Sequence, residues 1–289
     1  MYALRFSKTY DFGIMEKNGI RHVLEDKFYA DNQIFCLADG ITRDFVDGSS
    51  MKYPETMEDV ETILRKYPNP SGAARAAKDC VNNVVTYLQE KVNENKKIEG
   101  EDLKKALEYA NFTIGKINEG RQINYTSEDE YACVSVGGII EKNMLKCYFI
   151  GDSGIKVLDE NFNTIFDTTK YQKDSLDAFM KYGQKLFPKT FNWRNNFVRR
   201  YIRKNDRNNL KLLRSGTKNI GVLNGDEKAM NFIYTFNVPL EKAKYIIAFS
   251  DGCIDLLKTR KQMEDVILNP ESIKEAFCEK TLIIYEKAG

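Results

Sequence analysis

The stretches Ile34-Phe35-Cys36-Leu37-Ala38-Asp39-Gly40 and Ile246-Ile247-Ala248-Phe249-Ser250-Asp251-Gly252 repeat one phrase. Each is an apolar run of strand length that stops at Asp-Gly. A short continuous apolar run bounded by turn residues reads as a buried strand. Taken alone, Asp-Gly is a common turn. Two buried strands that each deliver a carboxylate at the tip, from opposite ends of the chain, are also a way to build a site for a hard divalent cation. Such cations take oxygen ligands held on rigid elements.

Working outward, segments 27–38, 131–140, 144–150, 154–158, 231–238, 243–250 and 281–286 are short, apolar and rich in Val, Ile, Phe and Tyr, and read as strands. Glu141-Lys142-Asn143 and Gly151-Asp152-Ser153-Gly154 separate neighbouring strands closely enough for antiparallel hairpins. Two amphipathic helices lie between the strand sets, at about 71–92 and 101–118. Pro70 and Ser71 suit the start of the first. Strands segregated from a helical pair predict an α+β layered domain instead of a doubly wound sheet. Residues 41–69 read as a polar loop. Residues 170–214 are rich in Lys and Arg with interleaved aromatics, and helix is expected at about 193–204.

Composition narrows the chemistry. The chain has 289 residues and 44 Lys and Arg against 42 Asp and Glu, so net charge names no partner. The one histidine, His22, excludes multi-His metal sites and makes a Ser-His-Asp triad a poor expectation. The six cysteines are scattered without a C-x-x-C pair, which fits packed thiols in a reducing, cytoplasmic setting. No run approaches the roughly 20 apolar residues of a membrane span.

Three more signals stand around the two Asp-Gly tips. Arg21-His22-Val23-Leu24-Glu25-Asp26 precedes the first, Gly151-Asp152-Ser153 lies mid-chain, and Asp255 follows the second in Ser250-Asp251-Gly252-Cys253-Ile254-Asp255. In this order the sequence resembles the metal-dependent protein phosphatases of type 2C, from about residue 10 to 286. The resemblance implies a four-layer αββα sandwich, two antiparallel sheets flanked by helices, forming one phosphatase-like domain over 1–289 with a variable basic flap at about 170–214. It implies two Mn²⁺ or Mg²⁺ ions, and a third where Asp129 falls. By matching position, Asp39 would bridge the two ions and the Gly40 carbonyl would bind one. Asp251 would bind the other, and Glu25 and Asp26 would hold metal-bound waters. Arg21 would bind the substrate phosphate. The implied activity is that of a cytoplasmic protein-serine/threonine phosphatase acting on phosphorylated proteins opposite a Ser/Thr kinase, with no nucleic-acid or membrane partner.

The chemistry is coherent on its own terms. Phosphate monoesters hydrolyse very slowly, and two divalent ions can activate water and neutralise the phosphoryl oxygens. Arginine suits the phosphate because its planar fork gives bidentate contact. Asp152 reads as a residue that ties down its own turn.

The sequence departs from the pattern at three places. Ile41-Thr42-Arg43-Asp44 follows the first Asp-Gly in place of a Gly pair, and Tyr131-Ala132-Cys133 replaces Gly-Thr-Thr. The family's last metal-binding Asp falls on Cys278, a soft ligand poorly suited to Mg²⁺, with Glu279 beside it. Either Glu279 reaches the metal, or water fills the place, or the chain is a pseudophosphatase that keeps the fold as a binding module. A two-metal nuclease is a third function class. The basic stretch is either solvated surface or a recogniser of acidic or phosphorylated substrate.

Overall fold

The computed structural model describes residues 1–10, 24–41, 58, 68–123, 130–188, 196–218, 220–273 and 279–288. The strands are β1 Tyr2–Tyr10, β2 Lys27–Ala30, β3 Ile34–Gly40, β4 Cys133–Glu141, β5 Met144–Ile150, β6 Gly154–Leu158, β7 Thr164–Asp167, β8 Tyr234–Pro239, β9 Tyr245–Phe249 and β10 Lys280–Lys287. The helices are α1 Gly72–Asn93, α2 Gly100–Asn118, α3 Thr169–Leu186, α4 Asn196–Asn205, α5 Leu210–Arg214 and α6 Arg260–Leu268. The strands form two five-stranded sheets, ordered β1-β10-β9-β6-β7 and β2-β3-β4-β5-β8, antiparallel throughout.

Period-two alternation explains why the two Asp-Gly strands are apolar without interruption. Phe35 and Leu37 of β3 face the other sheet and meet Val157, Ile246, Ile283 and Tyr285 there. Ile34, Cys36 and Ala38 face the opposite way, onto Val84 and Leu88 of α1 and Leu103 and Leu107 of α2. On the far side, Ile247 and Phe249 of β9 pack under Met263, Val266 and Ile267 of α6. Strands covered on both faces carry no polar side. The layers are therefore helix, sheet, sheet, helix, as expected.

Four features differ from the sequence expectations. Gly151-Asp152-Ser153-Gly154 joins no hairpin, because β5 lies in one sheet and β6 in the other and the chain changes sheets there. The strand expected over 27–38 is a hairpin, β2 and β3, paired from Lys27 with Ala38 to Ala30 with Phe35. Asp31 makes its turn, with Oδ1 accepting the N–H groups of Gln33 and Ile34 at 2.7 Å each. β1 and β7 were absent from the reading. Both are sheet edges with alternating or exposed side chains, so neither shows an apolar run. The basic stretch begins with α3, ahead of the helix expected near 193–204, which is α4.

Cys36, Cys80, Cys133, Cys147 and Cys253 are free and buried, as packed thiols should be, and Cys278 lies outside the described residues. Among the described residues no helix is long and apolar enough to cross a membrane.

Candidate functional site

Antiparallel pairing brings many strand ends to one end of the sandwich. β3 finishes there at Gly40 opposite Cys133, where β4 begins. β5 leaves one sheet there and enters the other as β6 through Gly151-Asp152-Ser153. β9 ends beside Asp251, and β10 starts just after Glu279.

The glycines of the repeated phrase are there for room. A Cβ on Gly40 would sit 2.8 Å from the Ala73 carbonyl carbon and oxygen and 2.9 Å from the Glu25 carbonyl oxygen. One on Gly252 would sit 2.1 Å from the Glu279 carbonyl oxygen. Backbone from Ala73 and Glu25 thus closes on the first tip, and backbone from Glu279 closes on the second.

Glu25 and Asp26 are buried where the chain enters β2. The Thr281 hydroxyl donates to Asp26 Oδ2 at 2.7 Å, and the Ser250 hydroxyl also bonds this carboxylate. The Ser71 hydroxyl donates to Glu25 Oε1 and accepts the Ala74 N–H at 3.1 Å, so it caps α1 and fixes Glu25 together. Ser71→Ala is expected to cost about 2–3 kcal/mol, combining a lost cap with a lost bond to a carboxylate. Urea unfolding measures this, and Ser71→Thr should recover most of it.

Glu279 stands across the mouth of β10. Its Oε2 accepts the Glu25 N–H at 3.0 Å and its Oε1 the Asp26 N–H at 2.9 Å. Its two oxygens thus clasp two successive amides. Lys280, buried, lays its side chain against Gly252, with Cγ 3.1 Å from where a Cβ would be.

The carboxyls share an environment that disfavours charge. Burial first, then the charges of Asp26, Asp251, Asp152 and Glu279, push Asp39 well above the usual range. Burial pushes Asp26 up to about 6 against the bonds from Thr281 and Ser250. Burial and the charge of Asp251 push Asp152 up to about 7. Asp251 is raised by burial, while the Gly252 N–H and Lys280 oppose the shift. Asp39, Asp152 and Glu279 are only half-buried by accessible surface and Asp251 is exposed, so the carboxyls line a recess that solvent reaches.

No family model and no curated protein sequence matches this chain. Solved structures do match in fold. PppA of Pseudomonas aeruginosa, a key regulatory component of T6SS, aligns over 99% of both chains with TM-score 0.54 and 12% identity. Stp1, a serine/threonine phosphatase from Staphylococcus aureus, aligns over 100% of this chain and 98% of its own, with TM-score 0.50 and 15% identity. The catalytic domain of the serine/threonine protein phosphatase PstP, in complex with two manganese ions, covers 99% of each chain with TM-score 0.50 and 14% identity.

The fold is that of the bacterial type 2C phosphatases.

Within this phosphatase fold, the carboxylates that mutual charge ties together are Asp26, Asp39, Asp152, Asp251 and Glu279. Gly40 is at the same strand tip, buried and paired with Cys133. Glu25 is there as well, turned to Ser71. Arg21 and Asp129 lie outside the described residues. Asp152, read from sequence as a turn residue, is a member of the cluster. The crossing from β5 to β6 carries it to the end where both Asp-Gly tips finish.

Two observations test whether these residues suit a divalent metal. The donors are of the right kind, hard oxygens from carboxyls that burial, and for most of them a neighbouring carboxylate, keeps from ionising easily. The Gly40 cradle leaves its strand tip without a side chain. Among the described residues, however, no group of three or more His, Cys, Asp and Glu side chains converges closely enough to hold an ion. The donor chemistry fits; the donors are not drawn into one shell.

Proposed function

We propose that this chain is a metal-dependent protein-serine/threonine phosphatase, one domain over 1–289, hydrolysing phosphomonoesters on proteins. The observation that carries the reading is the cluster of carboxyls, raised by burial and, at Asp26, Asp39, Asp152 and Glu279, by neighbouring carboxylates as well, at one end of an αββα sandwich with the fold of known serine/threonine phosphatases. Asp39 and Asp251 would hold two Mn²⁺ or Mg²⁺ ions with the Gly40 carbonyl, and Glu25 and Asp26 would act through water. When bound, the ions lower the pKa of water and neutralise charge on the phosphoryl oxygens. The chain's own contribution is placement. Thr281 orients Asp26, Ser71 orients Glu25, and Glu279 fixes the backbone that carries both. Arg21 would orient the phosphate, and Asp129 would serve a third ion.

The test is hydrolysis of an aryl phosphate and a phosphoserine peptide with millimolar Mn²⁺. Activity should appear with metal, vanish with chelator, and fall about a hundredfold or more in Asp39→Asn, since even residues that merely support a ligand are worth 10–100-fold. Undiminished activity in either control refutes the mechanism.

The second reading, a pseudophosphatase acting as a binding module, is favoured by one observation. The Glu279 oxygens, which could have replaced the ligand missing at Cys278, are bonded to the amides of Glu25 and Asp26. Calorimetry that finds no Mn²⁺ binding at millimolar metal selects this reading.

A further inference from the structure

The chain is almost neutral overall, yet its charges are segregated. Residues 196–218 hold eight Lys and Arg against one carboxylate, Asp206, which is buried. On α4, Val198 and Ile202 turn inward, while Arg200 and Lys204, one turn apart, are exposed. On α5, Lys211 and Arg214 are exposed in the same way around buried Leu212. None of these four exposed cations has a carboxylate partner among the described residues. Elsewhere surface lysines do pair, as in Lys96 with Glu94, Lys116 with Glu119 and Lys258 with Asp255. Four unpaired cations on two consecutive helices make a ridge of positive potential.

The ridge is rigidly based beside the acidic recess. Asn208, between the two helices, clamps Val222, accepting its N–H at 2.9 Å and donating to its carbonyl at 3.0 Å. Arg207 pairs with Glu130 at 3.1 Å, and Asn224 donates to the same carboxylate at 2.9 Å. Leu223, next in line, exchanges both backbone bonds with Cys133, at 2.9 and 3.1 Å, and Cys133 pairs with Gly40. From Gly40 to the ridge base the path thus runs over two backbone pairings, to Cys133 and to Leu223, and one side-chain clamp from Val222 to Asn208, about 15 Å in all. An extended peptide covers that distance in about five residues.

We propose that this ridge is a docking surface for an acidic segment of the substrate, about four to eight residues from the phosphorylated residue. The proposal deepens the phosphatase reading and rests on it for the word substrate. The recess repels a phosphoryl dianion until cations occupy it, and the ridge supplies attraction that does not depend on metal. A phosphoprotein with Asp and Glu near its phosphosite is therefore retained at both points, whereas a neutral one is held only at the phosphate. The clamped base means little ordering is needed on binding.

The test compares two phosphoserine peptides that differ only in carrying Glu or Gln at four to eight residues from the phosphoserine, in versions with the run on either side. With Mn²⁺ at low salt, the Glu peptide in one orientation should show a KM about tenfold lower, with kcat unchanged. The advantage should disappear at 0.5 M NaCl and in the variant Arg200→Glu/Lys204→Glu/Lys211→Glu, whose aryl phosphate hydrolysis stays at the parent level. Equal KM values in both orientations, or a preference indifferent to salt, overturn the proposal while leaving the activity in place. Fluorescence anisotropy of the labelled peptides separates the two claims. Salt-sensitive binding of the Glu peptide that the variant abolishes supports the ridge even if no peptide is hydrolysed, an outcome that would remove the phosphatase reading alone. Tighter binding of a single-stranded RNA oligonucleotide than of the Glu peptide overturns the acidic-substrate assignment.

Discussion

In the presence of chelator, the protein is expected to lose stability as pH rises from 5 to 8, and millimolar Mn²⁺ is expected to cancel the loss. The sign follows from the carboxyls of the recess. Asp26 and Asp152 ionise near 3.8 when exposed, but in the folded chain burial and neighbouring charge raise them to about 6 and about 7. Between those values the folded state holds protons that the unfolded state has released. Stability therefore falls as pH rises through the folded values, and the penalty is complete only above about 7. For Asp26 alone, the rise from 3.8 to about 6 is worth about 3 kcal/mol of differential interaction. For a chain of this size that corresponds to a melting temperature lower by about 6 °C. A bound divalent cation removes the penalty because it favours the ionised form and binds only the folded state. Thermal melts in EDTA at pH 5, 6, 7 and 8, repeated with Mn²⁺, measure both effects. Asp152→Asn should flatten the metal-free profile. A profile that is flat, or that rises with pH, would sink the assignment of these side chains to one mutually repelling cluster.

The second large effect is expected from Gly252→Ala. The added methyl would lie 2.1 Å from the Glu279 carbonyl oxygen, and that atom belongs to backbone entering a central part of a sheet. A flexible side chain could turn aside; a strand entry cannot without shifting its partners. The expected cost is about 3 kcal/mol, at the upper end for added bulk in a packed place. The specific consequence is functional. Moving the entry of β10 displaces Glu279 from the amides of Glu25 and Asp26, and Thr281 from Asp26. The variant should therefore lose the Mn²⁺-induced rise in melting temperature, besides melting lower. A variant that melts within a degree of the parent, with the Mn²⁺ response intact, would refute the close approach at Gly252.

The sandwich was legible because β3 before Asp39 and all of β9 are apolar at every position, which only strands covered on both sides require. The helix pair was legible from its periodicity. The edges β1 and β7 were not, since an edge strand keeps one side toward water and its pattern dissolves into polar residues. The hairpin at Asp31 was hidden because three polar residues suffice to reverse the chain there. At the site, motif order singles out Asp26, Asp39 and Asp251, and in the structure the charges of Asp26 and Asp251 act on Asp39. Asp152 reads as local because nothing in Gly151-Asp152-Ser153 reveals that the chain changes sheets at that point, which sets it within reach of the charges of Asp251 and Asp26. The role of Glu279 was also beyond the sequence. Whether a carboxylate turns toward a cation or toward two amides depends on the backbone path of residues 24–26, which lie 253 and more positions away.

That separation has a consequence for biosynthesis. The clasp joins Glu25 and Asp26 to Glu279, across 254 and 253 positions, and Thr281 meets Asp26 across 255. While the polypeptide is being made, the early carboxylates wait for a partner that emerges 253 to 255 positions after them. A nascent chain that has emerged as far as α6 already has most of both sheets, yet it lacks the strand that separates β1 from β9 and the side chains that fix the recess. The arrangement of Glu25 and Asp26 is thus completed only by the arrival of β10, and a copy truncated before β10 lacks the clasp that holds them.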